Sequence, residues 1–261
     1  MVKTKSFLQK FYVGLIFTIL YAPIAVLIVC SFNASKARTI WGGFTLDWYV
    51  QLFQNEAVID AVKTSLMLTT SAALIATLLG TFACIGMTVM SKRSQAVIGT
   101  VTNIPMLNAD IVTGISLMLL FISLGFRFGF GTILLSHITF CIPYVILSVM
   151  PRMKQLNPSI YEAAMDLGAG PIYGFFKVVF PDILPGVLSG FLMAFTMSLD
   201  DFIITHFTKG AGVDTLSTKI YTEVKKGIKP EMYALSTIIF VTVLILLLLV
   251  NKAPADKKQE A

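Results

Sequence analysis

Long apolar runs alternate with short polar connections along almost the whole chain. Six runs stand out: 11–32, 65–90, 96–124, 132–150, 183–207 and 233–250. Each is long enough for a helix to cross a hydrocarbon core of about 30 Å. The pattern predicts an all-α membrane protein of six transmembrane helices, with 1–261 forming one transmembrane domain. The first run follows Lys3, Lys5 and Lys10, as the core of a signal peptide would. Such a core spans only about 7–15 residues and ends at a small-residue cleavage site. This run is longer and carries Pro23 in its middle, so it is read as a retained first span. The third run holds Pro105, which predicts a bend there.

Residues 152–181 are different: amphipathic rather than uniformly apolar. Asn157 before Pro158 is a good helix start, a side-chain cap followed by a residue that needs no amide donor. Ile160, Ala164 and Leu167 recur at helical spacing, and Glu162 and Asp166 share another face. Gly168 stands where a left-handed C-terminal cap is wanted. Gly170-Pro171 restarts the chain, Ile172, Phe175, Phe176 and Val179 make a second stripe, and Pro181 closes it. The expectation is two short helices joined by a turn, lying between spans. Small alanines on the first helix allow close docking into a groove of another protein.

Composition agrees with burial in lipid. The chain is 56% hydrophobic and 13% charged, where a soluble domain averages about 45–50% and about 25%. The net charge of +6 is not a nucleic-acid signal, because the basic residues sit in short loops and tails where they set membrane orientation. With the N-terminus inside, Lys3, Lys5, Lys10, Lys92, Arg93, Arg152, Lys154, Lys177, Lys252, Lys257 and Lys258 lie inside. That is only slightly more than half of the 20 Lys and Arg, and Lys225, Lys226 and Lys229 argue the other way. Cys30, Cys84 and Cys141 fall inside apolar runs without metal-ligand or C-x-x-C spacing, and are read as packing residues.

Few residues carry chemistry. There is no phosphate-binding glycine loop, no H-E-x-x-H and no G-x-S-x-G, so energy for any work must come from a partner. Neither a cofactor nor a metal is expected. Asp110 lies near the middle of the third run, where a carboxylate is costly unless it meets water or a partner. Asp200 and Asp201 lie about 25 Å along the fifth run, counted at about 1.5 Å per residue. Adjacent helical residues point about 100° apart, so the two acids cannot share one direction. Each acid reads either as a pathway residue or as a packing or span-end residue. His137 near the start of the fourth run reads more readily as a packed hydrogen-bonding residue than as a proton relay. Trp48 and Tyr49 suit a membrane–water interface. An indole face also accepts a cation.

The stretch Glu162-Ala163-Ala164, Gly168 and the Val178 to Pro181 close resembles the cytoplasmic loop of binding-protein-dependent ABC importer permeases, with Phe180 where leucine is usual. That resemblance implies the type I importer permease fold and a coupling helix at Glu162, Ala163, Ala164 and Gly168 that docks on a cytoplasmic ATPase dimer. It also turns residues 152–181 inward and so decides the orientation, with both termini cytoplasmic in a bacterial inner or plasma membrane. The stretches Asn108 to Leu117, Leu134 to Pro143, Glu162 to Ala169 and Phe195 to Phe202, with Ser31 to Asn33 and Asp47 to Tyr49, resemble the second permease subunit of spermidine/putrescine importers. The resemblance implies a second, non-identical permease subunit, an extracytoplasmic polyamine-binding protein, and a cation pathway marked by Asp110, Asp200, Asp201 and Trp48. A permease for another ligand such as iron or a phosphonate, an ion channel, and an intramembrane enzyme using Asp110 and His137 are the rival readings. A channel needs no coupling helix, and no spacing supports a catalytic pair.

Overall fold

The computed structural model describes residues 2–35, 40–227 and 229–252. Its elements are α1 (Val2–Ser31), α2 (Asp47–Gln54), α3 (Glu56–Thr88), α4 (Lys92–Leu107), α5 (Asp110–Ser123) and α6 (Phe130–Gln155). They continue with α7 (Pro158–Asp166), α8 (Pro171–Gly174), a π-helical turn (Phe175–Val179), α9 (Phe180–Asp200), α10 (Ile203–Thr208), α11 (Leu216–Lys226) and α12 (Pro230–Lys252). The all-helical expectation holds among the described residues; the only β pairing there is an isolated bridge between Asn33 and Phe44. In lipid this is the expected outcome, because a helix satisfies its own backbone.

Four helical segments are long and apolar enough to cross a membrane: Lys10–Ser31, Glu56–Thr88, Phe130–Gln155 and Pro171–Asp200. The α4–α5 pair makes a fifth if a helix pair bent by 103° is one span. The sixth expected run, 233–250, is helical within α12, but most of its side chains from 243 onward lie outside the described residues. Lys257 and Lys258 of the tail lie outside them too.

The chain divides into two compact units, Met1–Ile59 with Ile220–Ala261, and Asp60–Lys219. In the first, α12 packs on α1 and α2. The link from α1 to α2 is tied to Asn33: its Nδ2 donates to the Ile40 carbonyl (2.9 Å), and its Oδ1 accepts from Gly42 N (2.8 Å) and Ser35 N (3.1 Å). The Trp48 indole N–H donates to the Asn33 carbonyl at 2.7 Å, and the Ser31 and Tyr49 hydroxyls bond at 2.7 Å. Phe32 stacks on Phe44 and leans on Tyr49.

The second unit is organised around α6. Helix α9 packs along it through a G-x-x-x-G pair, Gly186 and Gly190. A Cβ on Gly186 would stand 2.8 Å from Arg152 Cγ and 3.1 Å from the Ser148 carbonyl, and one on Gly190 would stand 3.3 Å from Val145 Cα. Small residues at this spacing let two backbones approach closely where lipid supplies no hydrophobic drive for helices to associate. Helix α3 contributes Ala73, Ala76, Cys84 and Met87 to the same core, and α6 contributes Cys141, Val145, Val149 and Met153. The thiols of Cys84 and Cys141 donate to the Ile146 and Ala194 carbonyls, so both cysteines are packing residues.

Two expectations about span boundaries are corrected. The third apolar run is bent, as expected, but not at Pro105. Pro105 stays inside α4, and the break falls three residues later at Asn108 and Ala109, both extended. The second helix of the 152–181 segment is not closed by Pro181 either. It continues through the π-turn into α9, so Pro171–Asp200 is one helical run of 30 residues. Pro181 has no N–H to donate and clashes with the carbonyl four residues earlier in a regular α-helix. The wider turn just before it relaxes that clash without ending the helix.

Candidate functional site

Helix α7 forms from local chemistry. The Asn157 side chain accepts from Ser159 N at 3.1 Å, and Pro158 begins the first turn. At the other end Gly168 N donates to Met165 O (2.9 Å) and Ala169 N to Ala164 O (3.1 Å), with Gly168 at φ +87. These paired bonds are the Schellman closure, and the left-handed residue within it favours glycine. The helix rests on α8 through Tyr161 and Met165, whose side chains stand 3.1 and 3.7 Å from where a Cβ on Gly174 would be. Several large apolar side chains here are uncovered by the chain: Ile160 of α7, its C-cap Leu167 at 89% exposed, and Ile172 (76%), Tyr173 and Phe176 further on. Glu162 and Ala163 are exposed, and Ala164 is half-buried.

The acids divide into two kinds. Asp110 is not in mid-helix. It is exposed in the first turn of α5, after the break, where the helix dipole favours a carboxylate. Asp200 is the exposed last residue of α9. Neither has a hydrogen bond or ion pair among the described residues. Asp201, one residue on, turns into the protein and caps α10. Its carboxylate accepts from Ile204 N (3.2 Å), Thr205 N (2.8 Å) and the Thr205 hydroxyl (2.8 Å).

His137 is fully buried beside that cap. Nδ1 lies 2.7 Å from the Ser198 hydroxyl and Nε2 lies 2.8 Å from the Thr205 hydroxyl and 3.4 Å from Asp201 Oδ2. One set of directions uses each hydrogen once. Ser198 donates to Nδ1, Nε2–H donates to Thr205, and Thr205 donates to Asp201. The chain of bonds joins α6, α9 and α10, and Thr132 adds a bond to the Thr208 carbonyl at 2.8 Å. This is the packed, hydrogen-bonded role read more readily from the sequence. A buried polar set is stable only when each member is satisfied, and here each is.

Trp48 lies in the other unit, 7% exposed, with its N–H committed to Asn33. The structure thus joins Asp201 to His137 and leaves Asp110 and Asp200 each exposed at a helix end. The sequence reading missed three features: the Ser198 and Thr205 partners, the Gly186/Gly190 seam, and the Asn33 hook. The glycine pair has a readable signal, its four-residue spacing. The partners of His137 have none, since they lie 61 and 68 positions away. Among the described residues no group of three or more His, Cys, Asp or Glu is placed to hold a metal ion.

Comparison with known proteins gives this arrangement its context. The chain is 40% identical over 230 residues to the putrescine transport system permease protein PotI of Escherichia coli (strain K12), covering 85% of this chain and 82% of that one. It is 37% identical over 242 residues to the spermidine/putrescine transport system permease protein PotC of the same strain, covering 93% and 92%. Among solved structures, a bacterial ABC transporter that imports the acidic polysaccharide alginate superimposes with a TM-score of 0.74 at 19% identity, over 96% of this chain and 95% of that one. That likeness concerns the fold. A family described as the binding-protein-dependent transport system inner membrane component matches residues 2–253, and the chain belongs to that family.

Proposed function

We propose that this chain is a transmembrane permease subunit of an ATP-driven importer that moves polyamines, spermidine or putrescine, into the cell. The carrying observation is the likeness over most of the chain to permeases named for those substrates. In this reading the whole chain acts as one six-span domain in a bacterial inner membrane, with both termini cytoplasmic. Its partners are a second, non-identical permease, a cytoplasmic ATPase dimer and an extracytoplasmic polyamine-binding protein. ATP hydrolysis belongs to the ATPase.

Helix α7 is the coupling helix. Leu167 at the end of α7 and Ile172 of α8 are uncovered, and α7 is capped at both ends, which suits a rigid part pressed into a partner's groove. Glu162, Ala163, Ala164 and Gly168 give that helix its docking face and its stop. When the ATPases close on ATP, the coupling helices move with them and shift the permease population between inward- and outward-open states. Asp110 and Asp200 supply acceptors for a flexible polycation along the pathway. Their attraction for an ammonium strengthens where water is partly excluded. Asp201 shapes that pathway by holding α10, and Trp48 by holding the link between α1 and α2.

The test is uptake. Removing the gene from its native host abolishes energy-dependent entry of radiolabelled putrescine or spermidine, and a plasmid copy restores it. In that background Asp110→Asn or Asp200→Asn lowers uptake at least tenfold while the complex still assembles and hydrolyses ATP. Unchanged polyamine uptake in the deletion strain, with loss of another solute's uptake, overturns the substrate. Normal uptake in both single variants and in the triple Asp110, Asp200, Asp201 variant overturns the acidic pathway.

A further inference from the structure

Between the end of α3, α4 from Lys92 to Asn103, and the last turns of α6 lies an open cavity of about 470 Å³. Its lining is divided by chemistry. Lys92 and Lys154 bring two ammonium groups, Gln95 and Asn103 bring two amides, and Leu147 and Met150 form part of an apolar wall. No carboxylate lines it, and neither lysine has an ion pair among the described residues. The first turn of α4 carries no acid to offset Lys92 and Arg93, which face the unfavourable end of their own helix dipole. The cavity lies near the end of α3, the start of α4 and the end of α6, which in the six-span reading is at one surface of the bilayer.

We propose that this cavity binds an anionic phospholipid. The headgroup phosphate lies between the Lys92 and Lys154 ammonium groups, with Asn103 donating to its oxygens or to the glycerol and Gln95, one N–H of which is held by the Met90 carbonyl, offering its other. An acyl chain runs down the Leu147 and Met150 wall. The pairing of cations with an apolar slot selects an anionic amphiphile over a free anion, which would leave the wall unused, and over a zwitterionic lipid, whose own cation would meet the lysines. Basic pockets between membrane helices hold acidic lipid headgroups on this principle, at about one order of magnitude in affinity per one or two lysines.

The experiment uses the full chain purified in detergent. Native mass spectrometry compares added dioleoyl phosphatidylglycerol with dioleoyl phosphatidylcholine. The expected result is preferential retention of phosphatidylglycerol, falling at least tenfold in Lys92→Gln/Lys154→Gln and returning in Lys92→Arg/Lys154→Arg. Equal retention of the two lipids, or full retention in the double glutamine variant, overturns the proposal. So does displacement of the lipid by 10 mM inorganic phosphate, which would mark a free-anion site. A second measurement needs no variant: phosphatidylglycerol with a photoreactive acyl chain should label peptides spanning 146–154 and 92–103 of the native chain, and labelling confined to other helices overturns the assignment. Neither readout depends on transport, so failure here leaves the proposed polyamine import standing, and the reverse.

Discussion

The seam between α6 and α9 and the ridge on α7 and α8 belong to the same compact unit but are built on opposite plans. At the seam, side chains are removed so that backbones meet. A Cβ on Gly186 or Gly190 would crowd α6, and the polar groups of His137, Ser198, Thr205 and Asp201 satisfy one another largely out of contact with solvent. On α7 and α8 the large apolar side chains point away from the chain, Leu167 and Ile172 most of all. Yet α7 is no loosely held loop, because Asn157 closes its start and Gly168 its end. Under the proposed function, this exposed apolar surface is where the ATPase docks. Seam substitutions should therefore destabilise the purified chain, and ridge substitutions should leave it intact and damage assembly.

The largest loss of stability is expected for Gly190→Leu. A branched side chain would have to enter where even a Cβ lies 3.3 Å from the Val145 backbone. Overpacking of this kind costs roughly 1–3 kcal/mol or more, which thermal unfolding in detergent would read as a clearly lowered midpoint. An unchanged midpoint would mean the seam is not close-packed. His137→Leu comes next, at about 2 kcal/mol, because the Ser198 and Thr205 hydroxyls lose a buried partner. The neighbouring acids sharpen the contrast: Asp201→Asn should cost about 1–2 kcal/mol, because its NH2 replaces an oxygen that accepts from Ile204 or Thr205, while exposed Asp200→Asn stays within about 0.5 kcal/mol. Equal effects from the two would remove the distinction drawn between them.

Gly168→Ala should cost about 1 kcal/mol, because an alanine must hold φ +87. Circular dichroism should register only fraying at the end of α7. The smallest effect on stability belongs to Leu167→Ser/Ile172→Ser, within about 0.5 kcal/mol in the purified chain. The same double variant should lose most of the ATPase that copurifies with the wild-type chain. Retained ATPase with full transport would break the comparison from its other side.

How much was legible in advance follows from how far apart the interacting residues lie in the chain. The start and stop of α7 were readable because each cap involves residues within six positions of one another: Asn157 with Ser159, Gly168 with Met165, Ala169 with Ala164. The all-helical class was readable because runs of about twenty apolar residues leave the backbone no other partner in lipid. Pro181 was misleading for a reason that is also physical. A proline ends a regular helix, and nothing in its neighbours announces the π-turn that lets this one continue.

Local chemistry, then, determined where helices form, which ends are capped, and that most of the chain lies in a membrane. The tertiary structure alone decided what each acid became. Asp200 and Asp201 are adjacent in sequence, and only the return of α10 toward His137 on α6 sends one into a buried network and leaves the other exposed. The break at Asn108 likewise turned Asp110 from a mid-helix carboxylate into the favoured first-turn residue of α5. Burial and hydrogen bonding depend on partners many residues away, and a side chain's environment is set only when those distant segments pack.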